Sequence, residues 1–238
     1  MSRELSRRAL LVSMAASAAV VGCAGDAPAG ACAVAGAQPE GDHYRVGAAL
    51  RSDITEGKDG IALTLLLQVV DAGACLPIVD AEVDVWHADA DGEYSDDAQA
   101  GTEGETFLRG IQRTDDSGWC RFQTIFPGFY VGRTCHISVK VRAEGFEELT
   151  TQLYFPREVI LAVAPEYPAI EEYTTNLEDA VYAADNELAL SGDIDTGLEA
   201  TVVLAVGEYD GHPAASTASR EASPGSPGAA GAPTLRRC

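Results

Sequence analysis

Six short segments of the chain, residues 62–70, 81–87, 119–126, 134–142, 149–155 and 198–206, are rich in β-branched or leucine side chains and are separated by turn residues. Strands of that length cannot bury an apolar face alone, so six or more at this spacing predict an all-β domain, an antiparallel sandwich or barrel. The segment 134–142 shows the pattern residue by residue. Ile137, Val139 and Val141 fall on one face, and His136, Ser138, Lys140 and Arg142 on the other. One face is therefore expected in the core and the other among polar surroundings. The single helix signal is short, around residues 176–184, inside a connection from 165 to 195 that is too long to be a simple turn. No internal repeat is discernible.

The ends do not read as folded protein. The chain begins M-S-R-E-L-S-R-R-A-L-L, followed by a 13-residue alanine-rich apolar run from Ala9 to Val21, too short to span a bilayer as a stable helix. Residues 1–22 are expected to be an export signal. Arg7-Arg8 resembles the twin-arginine type, and Val20-Val21-Gly22-Cys23 resembles a bacterial lipobox, which makes Cys23 the expected lipidated residue. Residues 23–43 are small and polar and predict a flexible tether, and residues 210–238 a disordered tail. One domain is left, residues 44–209, and neither end is expected to contribute to a site.

The charge of the full chain is −21, from 37 acidic and 16 basic side chains. Removal of residues 1–22 leaves 36 acidic against 13 basic, or −23. Such a body repels phosphate backbones, which argues against nucleic acid as a partner, and would meet a membrane only through a lipid anchor. Besides Cys23 there are Cys32, Cys75, Cys120, Cys135 and Cys238, with no C-x-x-C spacing to suggest zinc. An extracytoplasmic location, in the cell envelope or secreted, would let disulfides persist, but their pairing is not legible.

The chemistry is concentrated in three segments. P-G-F-Y-V-G-R-T-C-H-I-S, residues 127–138, opens on a Pro-Gly turn, so a loop delivers Tyr130 and Arg133 beside His136 at the start of a strand. With A-E-V-D-V-W-H-A-D-A-D-G-E-Y-S-D-D, residues 81–97, and T-F-L-R-G-I-Q-R-T-D-D-S-G-W-C-R-F-Q-T-I, residues 106–125, this segment resembles the intradiol ring-cleavage dioxygenases, in particular their exported single-domain members. The likeness extends from about Arg51 to Pro156.

The resemblance implies an antiparallel β-sandwich holding one non-haem Fe(III) through two tyrosinates and two histidines, with a small aromatic diol and O2 as substrates. Hard phenolate oxygen and imidazole nitrogen suit ferric iron. By motif, Tyr94 in D-x-x-G-x-Y and Tyr130 in P-G-x-Y take the tyrosine positions and His136 the first histidine position. Arg133 takes the place of an arginine that stabilises negative charge developing on the substrate, and Gln152 that of a supporting glutamine.

The departure is Ser138, where the family has its second histidine. Residues i and i+2 of a strand share a face about 6.6 Å apart, which lets two imidazoles reach one ion; serine is too short and too weak a donor to do so. Three outcomes are open: a three-ligand site completed by water or substrate, recruitment of His87, His43 or His212, or a pseudoenzyme that binds aromatic or glycan ligands without catalysis. His87 is expected to be structural. Asp89, Asp91, Asp96 and Asp97 lack the spacing and the closing glutamate of a calcium loop and are expected to shape and solvate their own loop. A purely structural envelope lipoprotein is the third class of function.

Overall fold

The computed structural model describes residue 32, residues 36–168 and residues 173–208. Strands β1 (Ala62–Asp71), β2 (Glu82–Trp86), β3 (Arg109–Arg113), β4 (Trp119–Ile125), β5 (His136–Arg142), β6 (Leu149–Tyr154), β7 (Ala189–Asp193) and β8 (Gly197–Val206) form two four-stranded sheets. Their orders are β4-β1-β8-β7 and β3-β2-β5-β6. Every strand pair is antiparallel except β1 with β8. The sandwich expected from the strand pattern and the resemblance is the one observed.

Alternation decides which faces meet. Leu63, Leu65, Leu67 and Val69 of β1 and Phe122 of β4 point inward from one sheet. Val83 and Val85 of β2, Ile137, Val139 and Val141 of β5, and Leu149 and Leu153 of β6 meet them from the other. Burial of this apolar surface at about 25 cal/mol per Å² is the main force closing the sandwich. His87, just past β2, reaches across the sheets: its Nε2 lies 2.6 Å from Thr124 Oγ1 on β4 and its Nδ1 2.8 Å from the Ala88 carbonyl.

Two strands and one helix depart from expectation. β3 (R-G-I-Q-R) and β7 (A-L-S-G-D) carry no apolar alternation, and both lie at sheet edges, held by backbone pairing to β2 and β8, with residues 49–51 bonding to Ile111 on the outer side of β3. The helix expected at 176–184 is absent. Glu178 Oε2 accepts from Thr175 N at 3.0 Å and from the Thr175 hydroxyl at 2.7 Å, and one turn follows, Asp179 N to Thr175 O at 3.1 Å. The turn then stops because its polar side chains are taken elsewhere. Asn176 Nδ2 donates to Phe155 O at 3.0 Å, and Asp179 accepts from Thr134 N at 3.0 Å. The α-helix that does form, α1 (Arg157–Val163), follows Pro156 and buries Val159, Ile160 and Val163.

The segment read as a tether is, from Gly36 onward, a strap laid along β6. Gln38 N donates to Thr150 O at 2.8 Å, Thr151 Oγ1 to Gly36 O at 2.7 Å, and Lys140 pairs with Glu40. A disulfide joins Cys32 to Cys75, while Cys120 and Cys135 are free and buried. The export signal, Cys23, His212, Cys238 and the C-terminal tail lie outside the described residues.

Candidate metal centre

Two tight loops bring the tyrosines together, and glycine permits it. Gly92 has φ +82°, and a Cβ there would stand 2.3 Å from Phe129 O. A Cβ on Gly128 would stand 2.4 Å from Asp89 O and 2.5 Å from Ala90 O. The two loops are tied where they touch, Gly128 N donating to Asp89 O at 2.8 Å. The glycines of D-x-x-G-x-Y and P-G-x-Y are thus the positions at which one tyrosine loop passes over the other. Asp89 folds its own loop, its Oδ1 accepting from Asp91 N and Glu93 N at 3.0 Å each while its Oδ2 pairs with Lys58 at 2.8 Å. Asp96 and Asp97 likewise bind loop amides, those of Gly104 and Gln99.

Tyr94, Tyr130 and His136 converge. Tyr94 Oη is 3.3 Å from Tyr130 Oη and 3.5 Å from His136 Nε2, and Tyr130 Oη is 3.3 Å from that nitrogen. These separations are long for hydrogen bonds. They suit co-ligands: a triangle with sides 3.3, 3.3 and 3.5 Å has a centre about 1.9 Å from each corner, close to transition-metal bonds to oxygen and nitrogen of about 2.0–2.2 Å. The imidazole is aimed for this role. His136 Nδ1 lies 2.7 Å from the Thr134 carbonyl, which places the ring hydrogen on Nδ1 and leaves the Nε2 lone pair facing the two phenols.

Burial sets the protonation of the metal-free site. It pushes the Tyr94 phenol well above its usual value, with neighbouring Tyr130 adding to the effect, and it raises Tyr130 too. Burial, with Arg133 nearby, lowers His136 to about 4. At neutral pH the site therefore holds two phenols and a neutral imidazole, and an incoming cation must displace phenolic protons as it binds. Among the described residues no three His, Cys, Asp or Glu side chains are placed to hold a metal ion, so this phenol-imidazole set is the donor chemistry on offer. It fits ferric iron.

Arg133 precedes His136 on the same loop-to-strand segment, and Gln152 is the cross-strand partner of Ser138. Arg133 Nε donates to Asp179 Oδ2 at 2.9 Å, and its NH2 group donates to Gln152 Oε1. Burial works against the Asp179 carboxylate, but the amides of Val181 and Thr134 and the Arg133 guanidinium outweigh it and hold the group below the usual range. Asp179 escaped the sequence reading because it lies in the connection taken for a helix.

Ser138 sits in a buried cross-strand row, Arg109–Trp86–Ser138–Gln152, on the same face as His136. No histidine replaces the missing ligand at the triangle among the described residues. Both ring nitrogens of His87 are engaged across the sandwich, which makes it structural as expected. His43 is close but stacked: its ring lies parallel to that of Tyr94, centroids 3.9 Å apart, with Nδ1 3.2 Å from Asp97 Oδ2. The expectation that the N-terminal segment stays clear of the site is therefore corrected. Residues 38–44 cover part of the second face of β5, Tyr44 against Lys140 and Pro39 against Gln152 beside Ser138, while Tyr94, Tyr130 and Tyr154 surround His136.

Comparison with known proteins agrees with this geometry. A family model described as a dioxygenase matches residues 40–196. Among curated proteins, chlorocatechol 1,2-dioxygenase of Cupriavidus pinatubonensis is 32% identical over 139 residues, 49% of this chain and 52% of that protein. The chain thus spans about half the length of the curated relatives it matches. Among solved structures, an intradiol ring-cleavage dioxygenase from Tetranychus urticae superposes with a TM-score of 0.69 at 28% identity, covering 74% of this chain and 95% of that one. The dioxygenase domain of a carbohydrate-binding fusion protein from Streptomyces sp. SirexAA-E gives a TM-score of 0.60 at 29% identity over 74% of this chain and all of that one. By sequence, fold and the convergence of its two tyrosines and histidine, the chain belongs to the intradiol ring-cleavage dioxygenase family.

Proposed function

We propose that this protein uses Fe(III) to open a catechol-type ring between its two hydroxylated carbons with O2, both oxygen atoms entering the diacid product. The observation that carries the proposal is the triangle of Tyr94, Tyr130 and His136, whose spacing suits one bound cation. Bound ferric iron supplies Lewis acidity and a template for diol and dioxygen. Tyr94, almost fully buried beneath the His43 ring, is the fixed anchor. Tyr130 is the less buried phenol, on the loop that bears exposed Val131; with iron bound it would be the donor free to give way to an incoming diol, its Oη taking up a proton from a substrate hydroxyl. The Arg133 guanidinium, already oriented by Asp179 and Gln152, stabilises negative charge that develops on the ring. Small aromatic diols as the substrate class are supported by the names of the relatives, which include chlorocatechol and protocatechuate dioxygenases.

With Ser138 in place of the second histidine, a water or substrate oxygen completes the donor set. The same serine favours the alternative, a metal-free sandwich that binds aromatic or glycan ligands without catalysis. Metal analysis, a visible spectrum and oxygen uptake with catechol on iron-supplied protein separate the two. The enzyme reading expects stoichiometric iron, a tyrosinate-to-iron charge-transfer band and oxygen consumption; colourless protein that consumes no oxygen sinks it. We further propose that the protein lies outside the cytoplasm, anchored through Cys23 or secreted. The Cys32–Cys75 disulfide supports that placement, since such bonds persist in oxidising compartments.

A further inference from the structure

Arg133 is held by two acceptors on different parts of the chain, Asp179 in the long connection before β7 and Gln152 on β6. Both are held in turn by one side chain of the strap. Gln38 Oε1 accepts from the backbone N–H of Gln152 at 3.0 Å, and Gln38 Nε2 donates to the Val181 carbonyl at 2.6 Å. Val181 passes the restraint on, its N–H donating to Asp179 Oδ1 at 2.8 Å. The next strap residue settles which way the Gln152 amide faces: Gln152 Nε2 donates to Pro39 O at 3.0 Å, so Oε1 is turned toward Arg133. The Tyr154 hydroxyl lies at the middle, 3.2 Å from Gln38 Oε1, 3.1 Å from Gln152 Oε1 and 3.0 Å from Val181 O. The result is a closed circuit, Arg133–Gln152–Gln38–Val181–Asp179–Arg133.

We propose that Gln38 is a positioning residue for Arg133, fixing the plane of the guanidinium by restraining both of its acceptors; the inference rests on the charge-stabilising role given to Arg133 above. Gln38 touches no reacting atom. Its contribution is preorganisation, because a donor already aimed when charge develops needs no rearrangement, whereas a free arginine has many rotamers to lose. Neither acceptor could supply this alone. Gln152 belongs to the sheet and Asp179 to an irregular connection; Gln38 bonds to both segments from the strap, and the Tyr154 hydroxyl lies against both from β6. The strap that carries it is joined to the body by the Cys32–Cys75 disulfide and by the pairing of Glu40 with Lys140.

The test is hydrogen exchange at the Arg133 Nε–H in arginine-labelled full-length protein, read by NMR in the metal-free state and therefore independent of turnover. Gln38→Met keeps the bulk and removes both hydrogen bonds; the expected result is a drop of about tenfold or more in Arg133 Nε–H protection, with core amides of β1 unchanged. Unchanged Arg133 protection overturns the proposal, and so does an equal loss in β1, which would mean global opening. Should Gln38→Met fail to fold, Gln38→Glu keeps the acceptor for Gln152 and loses the donor to Val181, and the same drop is expected. On iron-loaded protein, Gln38→Met is expected to lower kcat for catechol about tenfold with iron content unchanged, and to have no further effect in an Arg133→Gln background. An additive effect there overturns the proposal. If the parent protein never turns over catechol, the catalytic reading fails while the exchange experiment still decides whether Gln38 orders Arg133.

Discussion

The two sheets of the sandwich have the same number of strands and opposite second faces. In β1, which belongs to the β4-β1-β8-β7 sheet, buried Leu63, Leu65 and Leu67 alternate with half-exposed Thr64, Leu66 and Gln68, as in a sheet with one face in the core and one toward water. In β5, of the other sheet, His136, Ser138 and Lys140 are as buried as Ile137, Val139 and Val141. The covering comes from the strap at residues 36–45, the two tyrosine loops and the connection through Asp179. A polar strand face becomes an enclosed chamber only when irregular chain closes over it. Each buried polar group there must then find a partner or serve as a ligand.

Substitutions that separate the sheets test this division, and the largest effect is expected on the scaffold side. Leu65→Ala, in the wholly buried inward row of β1, should cost about 2–5 kcal/mol in denaturant unfolding while the iron content of the folded fraction stays the same. His136→Phe should do the reverse, leaving the unfolding midpoint near that of the parent while iron affinity falls more than about 100-fold, beyond the 10–100-fold usual for outer-shell changes. Should the two variants lose iron and stability in parallel, the division between scaffold and chamber is wrong.

Acid is a gentler probe of the same contrast. Burial lowers both His87, which ties the sheets together, and His136, in the chamber, to about 4. The unfolded chain takes up those protons near pH 6.5, so metal-free protein loses stability as pH falls from about 6.5 through 4, by up to about 3 kcal/mol per histidine. Asp84 acts in the opposite sense. Burial raises it to about 6 against the opposing pull of the Tyr44 hydroxyl and Arg142, so folding gains as that carboxylate protonates and part of the histidine loss is offset. His136→Phe should remove about half of the histidine share of the acid-induced loss, up to about 3 kcal/mol, in denaturation curves at pH 7 and pH 4.5. An unchanged slope would mean that His136 is charged in the folded state.

The smallest effect is the most specific. Ser138→His restores a donor on the same strand face as His136, and iron retention against a chelator should rise about tenfold, the scale of one tuned ligand contact. Iron content that does not rise would mean that the ligands on β5 have been misassigned.

How much of this was legible in the chain depends on the range of the interactions. Six of eight strands followed from local alternation. β3 and β7 did not, because edge strands such as R-G-I-Q-R and A-L-S-G-D are held by backbone pairing rather than by an apolar side-chain pattern. Tyr94, Tyr130, His136, Arg133 and Gln152 were legible through short motifs. Asp179 and Gln38 were not, since their part is defined only by partners tens of residues away, such as Arg133 for Asp179 at a separation of 46. The helix expected around residues 176–184 is the instructive failure: one turn forms from Thr175 to Asp179, and tertiary bonds from Asn176 and Asp179 end it there.

What the amino-acid order determined by itself is the all-β pattern, the glycines that let two loops cross, and the donor types suited to a hard cation, all of which act between near neighbours. Only the tertiary structure decided that three donors from separate segments meet with edges of 3.3–3.5 Å, that His87 is spent on Thr124, and that an N-terminal strap closes the chamber. The reason is physical. Convergence of distant side chains depends on how two sheets pack and what covers them, and that is settled by burial summed over the whole chain rather than by any single segment.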